Sequence, residues 1–367
     1  AKAALRLSSE LLDRLNKTGP DRETSPQMLS ELKTKTLLTR GSAQARLGNL
    51  AAARKDFIAA RDVAPNSTEV FVNLAALAKA EKKSDEASGF YENALAIDPT
   101  NSIALAGLID LYAGQNDLTK AHARLDQVLN SNPNNASLHY LKAQIYGYER
   151  NTQGAEAELR KTLELDPNYL AAYSALGALF VNTEQRDRAI AEYRKILELR
   201  PENSTAYTLI GMLEDARQNY SAAAESYRKA LEKDPNALIA ANNLAWLYAE
   251  RQELNGNLDE AVRLAQGVVQ KNPNVASFVD TLGWVYYKKG LHTAAVEQLQ
   301  KAVSVDETLA KTANATPSPN FRYHLGMALM AKGDKPAARR ELESALRLGE
   351  KVPFADAEVA RKALATL

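Results

Sequence analysis

The chain has 367 residues, 45% of them hydrophobic, with 46 lysines and arginines against 45 aspartates and glutamates. Such a composition belongs to a folded chain, and the even charge balance excludes the basic footprint of a general nucleic-acid binder. The absence of cysteine excludes disulfides and thiolate metal sites, and suits an exported bacterial protein and a cytosolic one equally.

The chain opens on Ala1–Lys2 in place of methionine, which points to a mature or trimmed segment of something longer. No stretch reads as a signal peptide, and no apolar run approaches the length of a membrane span. Residues 3–16 carry the pattern of one amphipathic helix. Gly19–Pro20 should end it, and a polar linker should run to about Pro26. This helix fits the second half of a truncated repeat.

From there a clock takes over. Pro65, Pro99, Pro133, Pro167, Pro201 and Pro235 stand 34 residues apart, and Pro273 follows after 38. Self-similarity at this period marks one helix–turn–helix unit copied along the chain. Twelve residues before each period proline stands an alanine: Ala53, Ala87, Ala121, Ala155, Ala189, Ala223 and Ala261. Ala295 and Ala338 continue the series to nine units. A methyl at every crossing implies two helices too close for anything larger. A second small series, Gly41, Ala75, Ala143, Gly177, Gly211, Ala245, Gly283 and Gly326, marks the first helix of each pair. Ile109 interrupts it and should splay the third unit.

Large apolar residues fill the remaining contacts, with Phe57, Tyr91, Leu125, Leu159, Tyr193, Tyr227, Leu299 and Leu342 at one equivalent site and Ala265 as the exception. Each proline should stop a second helix, and the Asn, Ser or Thr after it should cap the next one. Helices of about 12–14 residues are marginal alone in water, so stability must come from stacking.

These residues resemble the tetratricopeptide repeat (TPR), most closely in Tyr173–Leu176–Gly177–Phe180–Ala189–Tyr193–Ile196–Pro201, and the pattern runs from about Lys35 to Arg347. The resemblance implies an all-α fold, a right-handed superhelical solenoid of about nine repeats with capping helices at the ends. It also implies a non-catalytic scaffold that binds a peptide or partner protein along its concave face. The expected division is 1–33 for the N-terminal helix and linker, 34–309 for eight repeats, and 310–318 for an inserted loop. The ninth repeat takes 319–352 and a capping helix 353–367.

Three places depart from the period. Residues 251–258 lengthen the turn inside the seventh unit. Glu307 stands where the eighth unit's proline is due, and the polar stretch 308–318 follows. Both insertions read as tolerated surface-loop length, with a functional rim to the groove as the alternative. At the C-terminus, 354–367 should form a final helix with Glu358, Arg361 and Lys362 facing water, a polar lid of the kind solenoids need.

No phosphate loop, dinucleotide fingerprint, nucleophile elbow or zinc-protease motif occurs. The four histidines fall at four different places in the repeat, so no metal or other cofactor is expected. His139, where other units carry Tyr or Phe, reads as packing. Carboxylates such as Asp56 and Glu92 read as solvated helix faces. Tyr146 and Tyr148 near Arg150 could form a recognition patch, against the alternative of packing at a helix end.

The groove candidates come from helix geometry. The residue after each first-helix small residue is rotated about 100° from the core face, and residues three to either side lie near it. Both tryptophans of the chain, Trp246 and Trp284, hold this site in adjacent units, and Met327 holds it in the next. Around them stand Asn242, Asn243, Asp280, Thr281, Tyr287, Tyr323 and His324. An aromatic, amide-rich strip over units seven to nine suits an extended peptide or a partner helix. Internal packing of the two indoles is the competing reading. Asn73 and Asn243 match the asparagine that holds a peptide backbone in many TPR proteins, a role the resemblance implies.

The alanine-rich style and Asp-Pro-Asn junctions are similar to bacterial multi-repeat proteins of exopolysaccharide secretion and envelope assembly, which puts the periplasm ahead of the cytoplasm. A regulatory or targeting arm of a larger enzyme or secretion pore is the alternative.

Overall fold

A computed structural model describes residues 1–17, 25–254 and 258–367, and in it the 34-residue period is a succession of helix pairs. The chain divides into two compact units, 1–179 and 180–367. No strand occurs among the described residues.

The first unit holds α1 (Lys2–Lys17), α2 (Pro26–Arg46), α3 (Leu50–Val63), α4 (Thr68–Ala80), α5 (Ser84–Ile97) and α6 (Ser102–Gly114). It continues with α7 (Leu118–Ser131), α8 (Ala136–Tyr148), α9 (Thr152–Leu165) and the start of α10 (Leu170–Asn182). From α2 on, even-numbered helices are the first of a pair and odd-numbered helices the second. Paired helices pack tightly, and successive first helices, α2 with α4, α4 with α6 and α6 with α8, also meet. First helices therefore line one side of the stack. Ala53, Ala87, Ala121 and Ala155 sit at the crossings, at most 4% exposed.

Phe57 shows why the crossings need small residues. Its ring lies where a Cβ on Gly41 would come within 2.5 Å of Cε1. Where Ile109 replaces the small residue, α6 and α7 meet much less closely than the pairs to either side, the splay its bulk predicts.

The second unit holds α11 (Arg186–Leu199), α12 (Ser204–Ala216), α13 (Tyr220–Lys233), α14 (Leu238–Glu250) and a 3-10 turn, Gln252–Leu254. After it come α15 (Leu258–Lys271), α16 (Ala276–Lys288), α17 (His292–Ala313), α18 (Pro319–Lys332), α19 (Lys335–Gly349) and α20 (Ala357–Ala365). Again first helices meet, α12 with α14, α14 with α16 and α16 with α18.

Local signals set the boundaries. The first-helix caps fall two residues after the period proline. Asn101, Asn135 and Asn203 side chains accept from backbone N–H groups at 2.9–3.0 Å. Asp98, Asp166 and Asp234, just before the proline, accept from the backbone N–H two residues on, which closes the turn.

Three helices have bounds that differ from those the period suggests. The first repeat was expected from residue 34, yet α2 begins at Pro26. Ser25 caps it by accepting from Met28 N at 3.2 Å, with proline at the first helical position. The loop expected at 310–318 shrinks to 314–318, because α17 runs on to Ala313. With Glu307 in place of proline nothing stops the helix until Asn314, whose φ of 51° ends it. The C-terminal helix, expected over 354–367, covers Ala357–Ala365, with Glu358, Arg361 and Lys362 exposed. Gly19–Pro20 with the rest of 18–24, and 255–257 of the lengthened turn, lie outside the described residues.

Candidate functional site

Units seven to nine place α14, α16 and α18 side by side. Their groove-facing residues meet as a stacked aromatic cluster. Trp246 and Trp284 rings lie 6.2 Å apart at 20°, Trp284 stacks on Tyr287 at 4.7 Å, and His324 lies tilted against Trp284 at 4.3 Å. Tyr323 joins at 6.1 Å from Trp284. The depth of these residues differs. Trp284, Asp280, Thr281, Tyr323 and His324 are buried, while Asn242, Asn243, Trp246, Tyr287 and Met327 are half-buried.

The buried members satisfy one another. His324 Nδ1 lies 2.9 Å from both oxygens of Asp280, so the ring N–H donates to the carboxylate. Thr281 donates to the Ser277 carbonyl. Trp284 Nε1 donates to Glu250 at 2.6 Å, and Lys288 pairs with the same carboxylate at 2.8 Å while its ammonium stands 5.1 Å from the Trp284 ring. Burial alone would raise the Glu250 carboxyl. The hydrogen bonds from Lys288 and Trp284 outweigh it and hold the carboxyl below its ordinary value. Burial pushes the Tyr323 hydroxyl well up, helped by the charge of Asp356, so it stays a neutral phenol.

The amides occupy the near edge. Asn242 donates to Asn243 Oδ1 at 3.3 Å, and Asn243 donates to the Tyr227 hydroxyl at 3.2 Å. Asn242 Oδ1 is buried and has no hydrogen-bond partner.

Sequence reasoning missed several members. Glu250 and Lys288 hold equivalent positions on α14 and α16, and opposite charges at equivalent positions of adjacent units were a readable sign of their pairing. Phe354 lies 6.1 Å from Tyr323, and Ala360 and Ala363 of α20 pack into the same cluster. The final helix therefore lies against the aromatic strip as well as against α19.

Asn73 sits apart, in the first unit, where α1, α2 and α4 enclose an open groove of about 500 Å³. Its Nδ2 donates to the Glu69 carbonyl at 2.9 Å, and its Oδ1 faces the Ser42 hydroxyl at 3.4 Å. Asn243, its equivalent, turns instead toward Tyr227.

Other expectations resolve locally. Asp56, expected on a solvated face, is 4% exposed and takes a bidentate pair from Arg40, at 2.9 and 2.6 Å. An aspartate on the inner side of its helix needs such a fork to offset burial. Glu92 is half-exposed and pairs with Arg124 at 3.1 Å. His139 donates to the Pro133 carbonyl at 2.9 Å, as the equivalent Tyr173 hydroxyl does to Pro167, and it also meets Glu158 at 2.6 Å. Tyr146 packs on His122 at 5.2 Å, while the exposed Tyr148 donates to Asp110 at 2.7 Å, which pushes its hydroxyl up to about 12. No group of three or more His, Asp or Glu side chains suited to a metal assembles, and no helix is long and apolar enough to cross a membrane, among the described residues.

Helix pairs in register, small residues at every crossing and a lined inner side define a helical-repeat binding scaffold. Family models described as tetratricopeptide repeat match 38–102, 78–145, 140–204, 174–237, 208–276, 255–308 and 281–356. The chain belongs to the tetratricopeptide-repeat family. That fold is in general a non-catalytic one that binds proteins or peptides.

Several solved structures align with the chain. The Cut9–Hcn1 hetero-tetramer of the APC/C aligns over 99% of this chain and 80% of that one, at 14% identity and a TM-score of 0.52. YrrB, described as a TPR protein with an unusual peptide-binding site, aligns over 51% of this chain and 96% of its own, at 21% identity and a TM-score of 0.35. MamA from Desulfovibrio magneticus RS-1 aligns over 50% and 97%, at 17% identity and a TM-score of 0.42. At 14% identity the likeness to the hetero-tetramer is one of fold alone. Comparison with curated proteins gives no match.

Proposed function

We propose that the chain is a scaffold that receives an extended peptide or a partner helix along α14, α16 and α18. The buried set Asp280, Thr281, Trp284, Tyr323 and His324 forms a rigid floor. The half-buried Asn242, Asn243, Trp246, Tyr287 and Met327 form the contact edge. The observation that carries this reading is the unpaired Asn242 Oδ1 beside a half-buried indole. A buried acceptor without a donor is destabilising, and a peptide N–H reaching it as Trp246 shifts would relieve that cost. Asn243 stands ready to exchange its bond to Tyr227 for one to the ligand. Aromatic anchors on a preorganised floor are the usual seat of binding energy. The setting we propose, a bacterial secretion or envelope-assembly system, rests on the alanine-rich style and the Asp-Pro-Asn junctions.

The test begins with partners retained by the intact chain from cells that express it. Peptides from those partners are then titrated while tryptophan emission is followed. A binding peptide should change the emission, and Trp246→Ala and Asn242→Ala should each weaken it about tenfold, or 1.4 kcal/mol. Affinity unchanged in both variants would sink the proposal.

A further inference from the structure

Steps of four residues set Asn242, Trp246 and Glu250 on one stripe of α14, and Asp280, Trp284 and Lys288 on the matching stripe of α16. The equivalents on α12, Thr208, Met212 and Ala216, carry neither ring nor charge. What the two stripes offer a ligand is one-sided. Asn242 Oδ1, a buried acceptor, has no hydrogen-bond partner. Asp280 and Glu250 are carboxylates, and the stacked rings present faces that carry partial negative charge. The donors beside them are turned inward, Trp284 Nε1 to Glu250, Asn243 to the Tyr227 hydroxyl and Thr281 to the Ser277 carbonyl. Tyr323 feels the same bias: burial first, then the charges of Asp356 and Glu250, push its hydroxyl up. One ammonium stands against these groups, that of Lys288, 2.8 Å from Glu250 and 5.1 Å from the Trp284 ring. Its side chain is 31% exposed. The α20 residues Ala360 and Ala363 pack at the Tyr323 end of the cluster, while Trp246 at the α14 edge stays half-buried.

We infer that the strip selects a cationic side chain of its partner, an arginine laid against Trp246. The inference rests on the scaffold reading above and names what that groove takes. A planar guanidinium lies flat on an indole and keeps its N–H groups at the edge, free to donate. From Trp246, Asn242 lies one turn toward the start of α14 and Glu250 one turn toward its end, each a rise of about 6 Å. The guanidinium supplies the donor that Asn242 Oδ1 lacks, and its charge takes the place of the Lys288 ammonium beside Glu250. Lys288 is then an internal stand-in for the ligand. It covers an indole and neutralises Glu250 while the groove is empty, and its long, partly exposed side chain can swing out to water. An acidic side chain would meet like charge at Asp280 and Glu250, and an aliphatic one would leave Asn242 Oδ1 without a donor.

A random twelve-residue peptide library displayed on phage and panned on the intact chain tests it. Enriched peptides that lose affinity in Trp246→Ala are the ligands of the strip. These should carry an arginine, and exchanging it for citrulline, which keeps the shape and removes the charge, should weaken binding at least tenfold. Raised salt should weaken them as well. Lys288→Met should tighten them about threefold, because the competing cation is gone; a side chain that served only to hold the fold would give the opposite sign. The helical signal and melting point of Lys288→Met are checked alongside, and if they fall, the citrulline exchange on the parent chain decides. Trp246-dependent peptides without a basic residue, or citrulline forms that bind as tightly, would overturn the inference and leave the groove reading standing. A library that yields no Trp246-dependent peptide would overturn both.

Discussion

The αL turn between paired helices is the residue-scale feature that sequence reading missed. Lys82, Asn116, Arg150, Glu184 and Gln218 all have φ near 60°, in line with Gly48, Gly290 and Gly333. Five different side chains in a position that favours glycine conceal the constraint, because each tolerates about 1 kcal/mol of strain that stacking outweighs. Gln218→Gly should therefore raise stability by roughly 1 kcal/mol in urea unfolding, since the Gln218 side chain is exposed. Gly211 is the opposite case. A Cβ there would come within 2.5 Å of Tyr227 Cε1, on a ring that is fully buried. Gly211→Ala should cost about 1–3 kcal/mol by the same measurement, even though alanine is the better helix former. This constraint was legible, because small residues recur at that position in eight of nine units. The pairing of Asp56 with Arg40 was not, because only the fold reveals that an aspartate faces inward.

At the scale of elements, the ends of helices and the bridges between them decide the geometry. Arg54 of α3 reaches both Glu81, in the turn after α4, and Glu86 of α5, each at 2.6 Å. Hydrogen bonds from Arg54 and then Lys83 bring the Glu81 carboxyl from 4.5 down to about 2. A carboxyl whose value is depressed on folding stabilises the fold above its unfolded value, and that stability is lost as pH falls through the folded one. Melting temperature should thus drop between about pH 4.5 and 2, and Glu81→Gln should flatten the drop across that window. The caps act in the same range of energy. Asn203→Ala removes the acceptor for Ala206 N at 2.9 Å and should cost about 1 kcal/mol. The lengths of α2 and α17, 21 and 22 residues, depended on such end signals. Ser25–Pro26 starts one early and the missing proline at 307 lets the other run on. Both were present in the sequence, but the period pointed elsewhere.

At the scale of the molecule, both tryptophans of the chain report on one place. Trp284 is buried in a cluster with Tyr323, Leu342 and Ala360, and Trp246 and Phe354 pack on it. Removing residues 354–367 should expose that cluster, shift tryptophan emission to the red and promote aggregation. A soluble truncation with unshifted emission would argue that the last helix protects nothing. The sequence by itself determined the repeat, its all-α character, the close crossings and the positions that point away from the core. All of these follow from periodicity along one chain and from the size of single side chains. Tertiary structure alone decided which groove residues sink into a floor and which stay at its edge. It also decided that the last helix lies on the aromatic strip. Those outcomes depend on contacts between residues tens of positions apart, and the repeat pattern, alike in every unit, carries no information about how one unit differs from the next.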